Sequence, residues 1–452
     1  MHAHFVGPQQ MGAGLLVVLL AVGARPLVAQ TPPPAPVPEQ HEHQAAPVNE
    51  AEQTVPAHDM GRMSDERPAE ATRESSGTAW QPDASPMYSW HGLAGGWNLM
   101  AHGNAFIQML HESSERGDSQ LGSINWIMGM ANRSVGGGSL RFRGMFSLEP
   151  WTVRGCGYPD LLASGESCDG EPIHDRQHPH DLLMEIAAQY NHALAGSLRW
   201  EVYGGPAGEP ALGPAAFPHR LSAMPNPLAP IGHHWLDATH VTFGVVTAGI
   251  YGHRWKAEAS AFNGREPDED RTNLDVGALD SASGRLWFLP TASLALQVSA
   301  GRLTDAEAGE DRSPIDVDRL TASATYHRAA GPGSFWAGTL AWGRNAEPGH
   351  ASHALLVETN ITFADRHTWF GRFEIVGKSA HDLDLDGDTT RTVGKLQGGY
   401  ARYMAKWHAL KPGFGAAVSA GFVPPDLRLV YGSRVNLGLA VFATLRPASH
   451  GM

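Results

Sequence analysis

Two short histidine-rich motifs carry the side chains best suited to bind a metal ion. The first, DRQHPHD, spans residues 175–181, and the second, GHHWLDATH, spans residues 232–240. Imidazole and carboxylate groups at such close spacing can bind zinc or copper. The alternative is that they brace folded loops through hydrogen bonds and ion pairs. The candidate residues, with one histidine upstream of the first motif, are His174, Asp175, His178, His180, Asp181, His233, His234, Asp237 and His240.

A third group of possible ligands lies near the N-terminus and mixes imidazoles with thioethers. HEH contributes His41 and His43, and HDMGRM contributes His58, Met60 and Met63. Thioether and imidazole ligands together suit copper, especially Cu(I), better than calcium or magnesium. The alternative is a linker in which these residues are incidental.

An acidic stretch, HDLDLDGDTT, matches the start of a calcium loop. Asp382, Asp384, Asp386 and Asp388 follow the D-x-D-x-D-G spacing, but the twelfth position is Val393 rather than glutamate. An EF-hand is therefore excluded. A looser calcium site in an outer loop and a solvated acidic loop tip both remain open.

The sequence offers little support for catalysis or for binding nucleic acid. His219 and Ser222 are close in sequence, but no G-x-S-x-G, H-E-x-x-H, P-loop or dinucleotide motif occurs. The net charge of −13 disfavours nucleic acid as a partner. We expect that the protein is not an enzyme and requires no cofactor.

The first 87 residues read as export and linker segments. Residues 11–24 form an apolar run that predicts a signal peptide over residues 1–29, although no Lys or Arg precedes the run. A membrane anchor is the alternative, but the run is short for a span. Residues 30–87 are rich in Pro, Ala and Glu and nearly free of aromatics. This composition predicts a disordered periplasmic segment.

Residues 88–447 alternate apolar and polar side chains in segments of about ten residues. Many segments carry Arg, Lys or Glu in the middle of one face, while the opposite face is almost uncharged. That pattern favours a polar lumen and a lipid-facing wall over a soluble sandwich, which remains the alternative. The residues expected to face the lumen are Arg141, Arg143, Arg199, Glu201, Lys256, Glu258, Arg372 and Glu374.

The connections between these segments alternate between long and short, as in bacterial outer-membrane barrels. The long ones are predicted at about 111–120, 150–181, 205–238, 263–279, 304–317, 343–352, 378–391 and 423–430. The sequence therefore predicts an all-β fold, a transmembrane antiparallel β-barrel of about sixteen strands, with fourteen or eighteen as alternatives. A short tail, 448–452, follows, and the usual terminal aromatic residue is missing. The two histidine motifs lie where outer loops re-enter the barrel, so they can meet.

The cysteines, Cys156 and Cys168, are twelve residues apart in a loop-like stretch. In an exported protein such a pair predicts a local disulfide, with two free thiols as the alternative.

The layout resembles copper-resistance outer-membrane proteins of the CopB type, which join a Met/His-rich periplasmic segment to a β-barrel. The resemblance implies a role in handling or passing transition metal, most naturally copper as Cu(I) or Cu(II), with zinc as an alternative ion. It also implies outer-membrane lipid and periplasmic metal-handling proteins as partners. Two other functions remain open: a porin constricted by a His-rich loop, and a structural or adhesion barrel with a plugged lumen.

Overall fold

A computed structural model describes residues 73–308, 313–387 and 389–448, and these residues are almost entirely β-strand and loop. The strands are β1(Trp90–Ala94), β2(Trp97–Ser113), β3(Ser119–Val135), β4(Gly138–Phe146), β5(Tyr158–Cys168), β6(Glu171–Gln177), β7(Leu183–Ala195), β8(Leu198–Ala207), β9(Val245–Tyr251), β10(Trp255–Phe262), β11(Ser281–Thr291), β12(Leu294–Ala308), β13(Pro314–Gly331), β14(Ser334–Glu347), β15(His350–Phe363), β16(His367–Lys378), β17(Arg391–Tyr403), β18(Leu410–Phe422) and β19(Val435–Pro447).

Sixteen of these strands form one closed antiparallel sheet. Strands β2–β4 and β7–β19 each pair with their neighbours in chain order, and β4 pairs with β7 across the intervening loop. The sheet closes where β19 pairs with residues 105–113 of β2. The short strand β1 pairs with residues 97–101 of β2, next to the part of β2 that pairs with β19. The predicted barrel and its strand number are confirmed.

The remaining elements are short and lie in the connections. Strands β5 and β6 form a separate hairpin between β4 and β7. The helices are α1(Glu149–Thr152), α2(His233–Leu236) and α3(Arg428–Tyr431), with 3-10 turns at Ala238–His240, His381–Leu383 and Pro425–Leu427. Across the described ranges, no helix is long and apolar enough to cross a membrane.

The outer face of the closed sheet is apolar and exposed. In β19, Val435, Leu437, Leu439 and Val441 are 47–60% exposed, whereas the alternate residue Asn436 is 2% exposed. The other strands repeat this pattern, with Leu, Phe, Trp and Val on the outside and charged residues within. A closed sheet leaves no unpaired edge, and an apolar outer wall of this kind requires lipid rather than water around it. The fold is therefore a membrane-spanning barrel.

Two of the predicted long loops are mostly strand. Strands β12 and β13 continue pairing as far as Ala308 and Pro314, and β14 and β15 as far as Glu347 and His350. The segments near 304–317 and 343–352, which contain turn-forming residues such as Asp, Asn, Gly and Pro, are predicted as loops. In the structure the described residues of both segments largely continue the ladder.

The lumen is filled by the chain itself. The connection between β8 and β9, residues 208–244, which we call the lumen loop, is buried over most of its length. Residues 73–87 also lie inside, with Trp80 only 4% exposed. Lys256 Nζ donates to the Thr78 carbonyl at 2.6 Å and Arg143 Nη2 to the Ser75 carbonyl at 2.9 Å.

The predicted boundary at residue 87 is therefore placed too late, because residues 73–87 are ordered. Their own composition gives them no core, and their order comes from lumen cations far away in sequence that bind their backbone carbonyls. Arg73 also pairs with Asp83 at 2.8 Å within the segment. Composition alone cannot reveal partners of this kind.

Candidate metal centre

The two histidine motifs come together inside the barrel. His178 and His180 follow β6, His233 and His234 lie on α2, and His240 ends the next 3-10 turn. We call these five residues the imidazole cluster. Ring centroids are 5.1 Å apart for His233 and His240, 5.3 Å for His180 and His240, and 5.8 Å for His178 and His234. Each residue is at most 8% exposed. Phe217 of the lumen loop packs against three of the rings.

Most Nδ1 atoms of the imidazole cluster face an oxygen acceptor. His180 Nδ1 lies 3.0 Å from both Glu149 carboxylate oxygens, His233 Nδ1 lies 2.8 Å from Asp237 Oδ1, and His240 Nδ1 lies 2.9 Å from the Asp237 carbonyl. The Nε2 atoms of His180 and His240 are buried without a hydrogen-bond partner. Histidines that bind metals through Nε2 have this arrangement, because an acceptor on Nδ1 fixes the tautomer and the ring orientation.

His178 repeats the pattern with a different carboxylate. Its Nδ1 lies 3.2 Å from Glu166 Oε2, and its buried Nε2 has no hydrogen-bond partner. Glu166 also pairs with Arg271. Burial and the Arg271 guanidinium hold the pKa of His178 well below its usual range. Burial likewise lowers the pKa of His233 to about 4. Both rings are therefore neutral near pH 7, and a neutral imidazole keeps the lone pair that a metal needs.

A second group of possible ligands meets His234. One ligand atom each from His234, Glu266 and Glu307 lies within 4.8 Å of the others, and His234 Nδ1 is 2.7 Å from Glu266 Oε1. A cavity of about 20 Å³ adjoins these carboxylates and is also lined by Glu166 and Arg319. One imidazole with two carboxylates fits zinc or Cu(II). Neither glutamate is predicted from the sequence, because nothing in GREPDED or TDAEAG links it to a histidine motif.

Other residues of the lumen loop brace it against the wall. Arg220 pairs with Asp237 and with Glu358 of β15, both at 2.7 Å. Arg372 of β16 pairs with the same Glu358 at 2.8 Å, and Glu374 accepts the backbone N–H groups of residues 231 and 232. Asp237 thus braces the loop through Arg220 and orients the His233 ring.

Three candidate residues in or next to the first motif lie outside the imidazole cluster. His174 Nδ1 lies 3.2 Å from the Asp382 carbonyl. Asp175 accepts the Leu162 N–H at 2.8 Å and the Tyr431 hydroxyl at 3.2 Å. Asp181 lies 3.6 Å from Arg271 Nη1. These contacts hold the β5–β6 hairpin and its neighbours in place.

The acidic stretch is partly engaged by protein donors. Asp382 Oδ2 accepts the Ser379 N–H at 2.8 Å, and Asp384 pairs with Arg116 at 3.1 Å. Asp386 is exposed, and Asp388 lies outside the described residues. The N-terminal candidates, His41, His43, His58, Met60 and Met63, also lie outside them, as do the predicted signal peptide and residues 449–452.

The charged residues expected in the lumen are mostly buried and paired. The pairs are Lys256 with Glu201 and Glu258, Arg143 with Glu185, Arg141 with Glu74, Arg372 with Glu358, and Arg199 with the Asn191 side chain. Glu374 completes the set through its two backbone donors. These pairs tie the wall to itself and to the segments that fill the lumen.

The predicted disulfide is confirmed. Cys156 and Cys168 are bonded, with their Cα atoms 5.6 Å apart, and the bond lies at the exposed end of the β5–β6 hairpin. A cavity of about 350 Å³ lies beside it, lined in part by Trp151, Pro179 and Arg271.

Comparison with known proteins finds similarity at the level of structure only. The sequence matches no protein-family model and no curated relative. Among solved structures, the anion-selective porin of Comamonas acidovorans aligns with TM-score 0.48 and 10% identity, covering 77% of this chain and 99% of that one. The channel DcaP of Acinetobacter baumannii gives 0.46 and 9%, covering 80% and 100%. The in-vitro folded outer membrane protein OmpT of Vibrio cholerae gives 0.45 and 9%, covering 78% and 98%.

Proposed function

We propose that this chain is a bacterial outer-membrane barrel that binds transition-metal ions, copper or zinc, inside its lumen and passes them across the membrane. The observation that carries the proposal is the imidazole cluster, in which two separate loops bring five buried rings together. Four of its Nε2 atoms, those of His178, His180, His234 and His240, have no hydrogen-bond partner, and buried polar atoms without partners are costly unless a ligand satisfies them.

The N-terminal His/Met tract would serve as the periplasmic partner of this site. Its ligands, His41 to Met63, would exchange ions with the lumen or with periplasmic metal-handling proteins. Imidazole and thioether ligands suit copper in either oxidation state, so such a tract could deliver or accept the same ions as the lumen site. Because the lumen is filled, passage would require the lumen loop or residues 73–87 to move.

The porin alternative is less favoured. A general porin needs a water-filled lumen, yet the inward-facing cations Arg143, Lys256, Arg285, Arg372 and Lys395 are each at most 4% exposed. This observation favours the third alternative, a plugged structural barrel, over an open pore. Metal binding separates our proposal from that alternative, because a plug needs only the ion pairs that brace it.

The test is metal binding by the full chain folded in detergent. Zinc and Cu(II) are added separately, excess ion is removed, and bound metal is measured by elemental mass spectrometry. We expect the double variant His178→Gln, His240→Gln to bind fewer metal ions per chain than the wild type, with a loss of at least one equivalent of metal. The matched control, His111→Gln with His408→Gln, changes two exposed histidines and should retain the full amount.

A further variant separates the lumen from the tract. His41→Gln, His43→Gln and His58→Gln together leave the imidazole cluster intact. If metal disappears only in this tract variant, or if the cluster variant retains as much metal as the wild type, the lumen site is refuted. Heat-dependent gel mobility checks that each variant is folded, since closed barrels resist detergent until they are boiled.

A further inference from the structure

A second group of side chains pairs half-buried imidazoles with buried thioethers. His102 Nε2 lies 2.9 Å from Met128 Sδ, and His219 Nε2 lies 3.3 Å from Met145 Sδ. The two imidazole centroids are 5.4 Å apart. We call these four residues the thioether cluster. Three wall strands, β2, β3 and β4, and the lumen loop each supply one member.

The surroundings of the thioether cluster are apolar and aromatic. Met128 is 0% and Met145 4% exposed, and the buried Met184 belongs to the same packed group. The Trp126 ring lies 4.4 Å from that of His219 and 5.3 Å from that of His102. An indole face beside the site can stabilise a cation through its ring electrons.

The imidazoles of the thioether cluster lack the carboxylate partners that the imidazole cluster has. Within residues 73–308, 313–387 and 389–448, no hydrogen bond or ion pair joins His102 or His219 to a carboxylate. The nearby cation, Arg143, is occupied by Glu185 and by two backbone carbonyls.

We propose that the thioether cluster is a binding site for cuprous copper, Cu(I). Soft thioether sulfur with neutral imidazole selects Cu(I) over divalent ions, which need harder ligands or compensating negative charge. Ligands on one tetrahedral ion, at about 2.0 Å for nitrogen and about 2.3 Å for sulfur, would stand about 3.5 Å apart. Each observed nitrogen–sulfur pair reaches that separation by opening a few tenths of an ångström.

The position of the cluster relates it to the imidazole cluster. His219 is two residues from Phe217, which packs against His180, His233 and His240. The lumen loop therefore contributes ligands to both groups, His219 to one and His233, His234 and His240 to the other. The inference rests on the proposed function for its physiological role, because it makes Cu(I) one of the ions handled, while the binding itself stands on the local geometry.

The test counts Cu(I) bound to the full folded chain. Cu(I) is supplied under ascorbate without oxygen, and bicinchoninate competes for it. We expect Met128→Leu with Met145→Leu to lose one equivalent of competitively retained Cu(I), because leucine fills nearly the same volume but offers no sulfur. The matched control, Met109→Leu with Met404→Leu, changes two exposed thioethers and should lose none.

Two further measurements keep the result decisive. His219→Gln, in the lumen loop rather than the wall, should lose the same equivalent even if the methionine variant folds poorly. Cu(I) should also quench the tryptophan fluorescence of the wild type more than that of Trp126→Phe. Undiminished Cu(I) retention in both folded variants would overturn the proposal.

The two proposals fail in different ways. If zinc and Cu(II) do not bind the imidazole cluster but Cu(I) is lost with the methionines, the proposed function fails and the cuprous site stands. If zinc or Cu(II) binds as expected but the methionine variants retain all their Cu(I), only the cuprous site is refuted.

Discussion

The imidazole cluster and the thioether cluster share one lumen loop but differ in what surrounds their nitrogen atoms. In the imidazole cluster, Glu149, Asp237 and Glu166 face the rings. In the thioether cluster each imidazole faces a sulfur atom, and the neighbouring ring is an indole. A buried divalent ion needs negative charge close by, whereas a monovalent soft ion needs less. This contrast is the reason for proposing two kinds of site in one barrel.

The largest expected effect comes from removing a carboxylate that faces a ring of the imidazole cluster and none of the thioether cluster. Asp237→Asn leaves the buried Arg220 with Glu358 as its remaining acidic partner and weakens the acceptor of His233. We expect zinc affinity to fall roughly 10- to 100-fold, and the free energy of unfolding to fall by roughly 3 kcal/mol. Isothermal titration with zinc and guanidinium unfolding measure these changes.

Its matched control is the same substitution in an exposed ion pair. Asp318→Asn removes an ion-pair partner of Arg302, and the Asp318 side chain is 57% exposed. The free energy of unfolding should change by less than about 1 kcal/mol. The comparison between the clusters would fail if Asp237→Asn weakened Cu(I) retention as much as it weakened zinc binding.

Acid provides the next largest effect in the metal-free protein. Burial lowers the pKa of His233 to about 4, below its value of about 6.5 in an unfolded chain. Between those values the unfolded chain binds more protons than the folded one. Stability is therefore fully present above pH 6.5 and declines as the pH falls toward 4, by about 3 kcal/mol in the limit. Groups facing His233 are Asp237, His178, His234 and His240.

Unfolding by guanidinium at pH 7 and at pH 4.5 measures this dependence. His233→Gln should flatten the difference between the two pH values, because glutamine does not titrate. The control His408→Gln changes an exposed ring and should leave the difference as in the wild type. Equal pH dependence in all three proteins would mean that the buried ring carries no such linkage.

The smallest expected effect concerns the disulfide. Cys156→Ala with Cys168→Ala removes a short cross-link worth about 3 kcal/mol in a free chain. We expect less here, because Lys395 holds the hairpin in the lumen through Asp160 at 2.5 Å. Both metal sites should keep their full occupancy in the elemental and Cu(I) assays. Loss of zinc in this variant would show that the hairpin, not the lumen loop, positions His178.

The alternation of apolar and polar residues along the chain was enough to predict the strands of the barrel wall and the direction in which their side chains face. The two-residue alternation in strands such as β19 places Leu437 and Leu439 outside and Asn436 inside, and turn-forming residues mark the strand ends. The same local signals predicted the sixteen strands, the disulfide and the two histidine motifs. They failed for residues 73–87, whose order depends on lumen cations such as Lys256 that are distant in sequence.

Only the tertiary structure decided which side chains form a site together. The two motifs were visible in the sequence because their ligands are neighbours along the chain, but their meeting required two loops to fold into one lumen. Glu266, Glu307 and the thioether cluster gave no signal, because each comes from a different strand or loop and a lone Met or Glu on an alternating strand is unremarkable. Strand periodicity fixes which way a side chain faces, whereas barrel closure and loop packing fix what it faces.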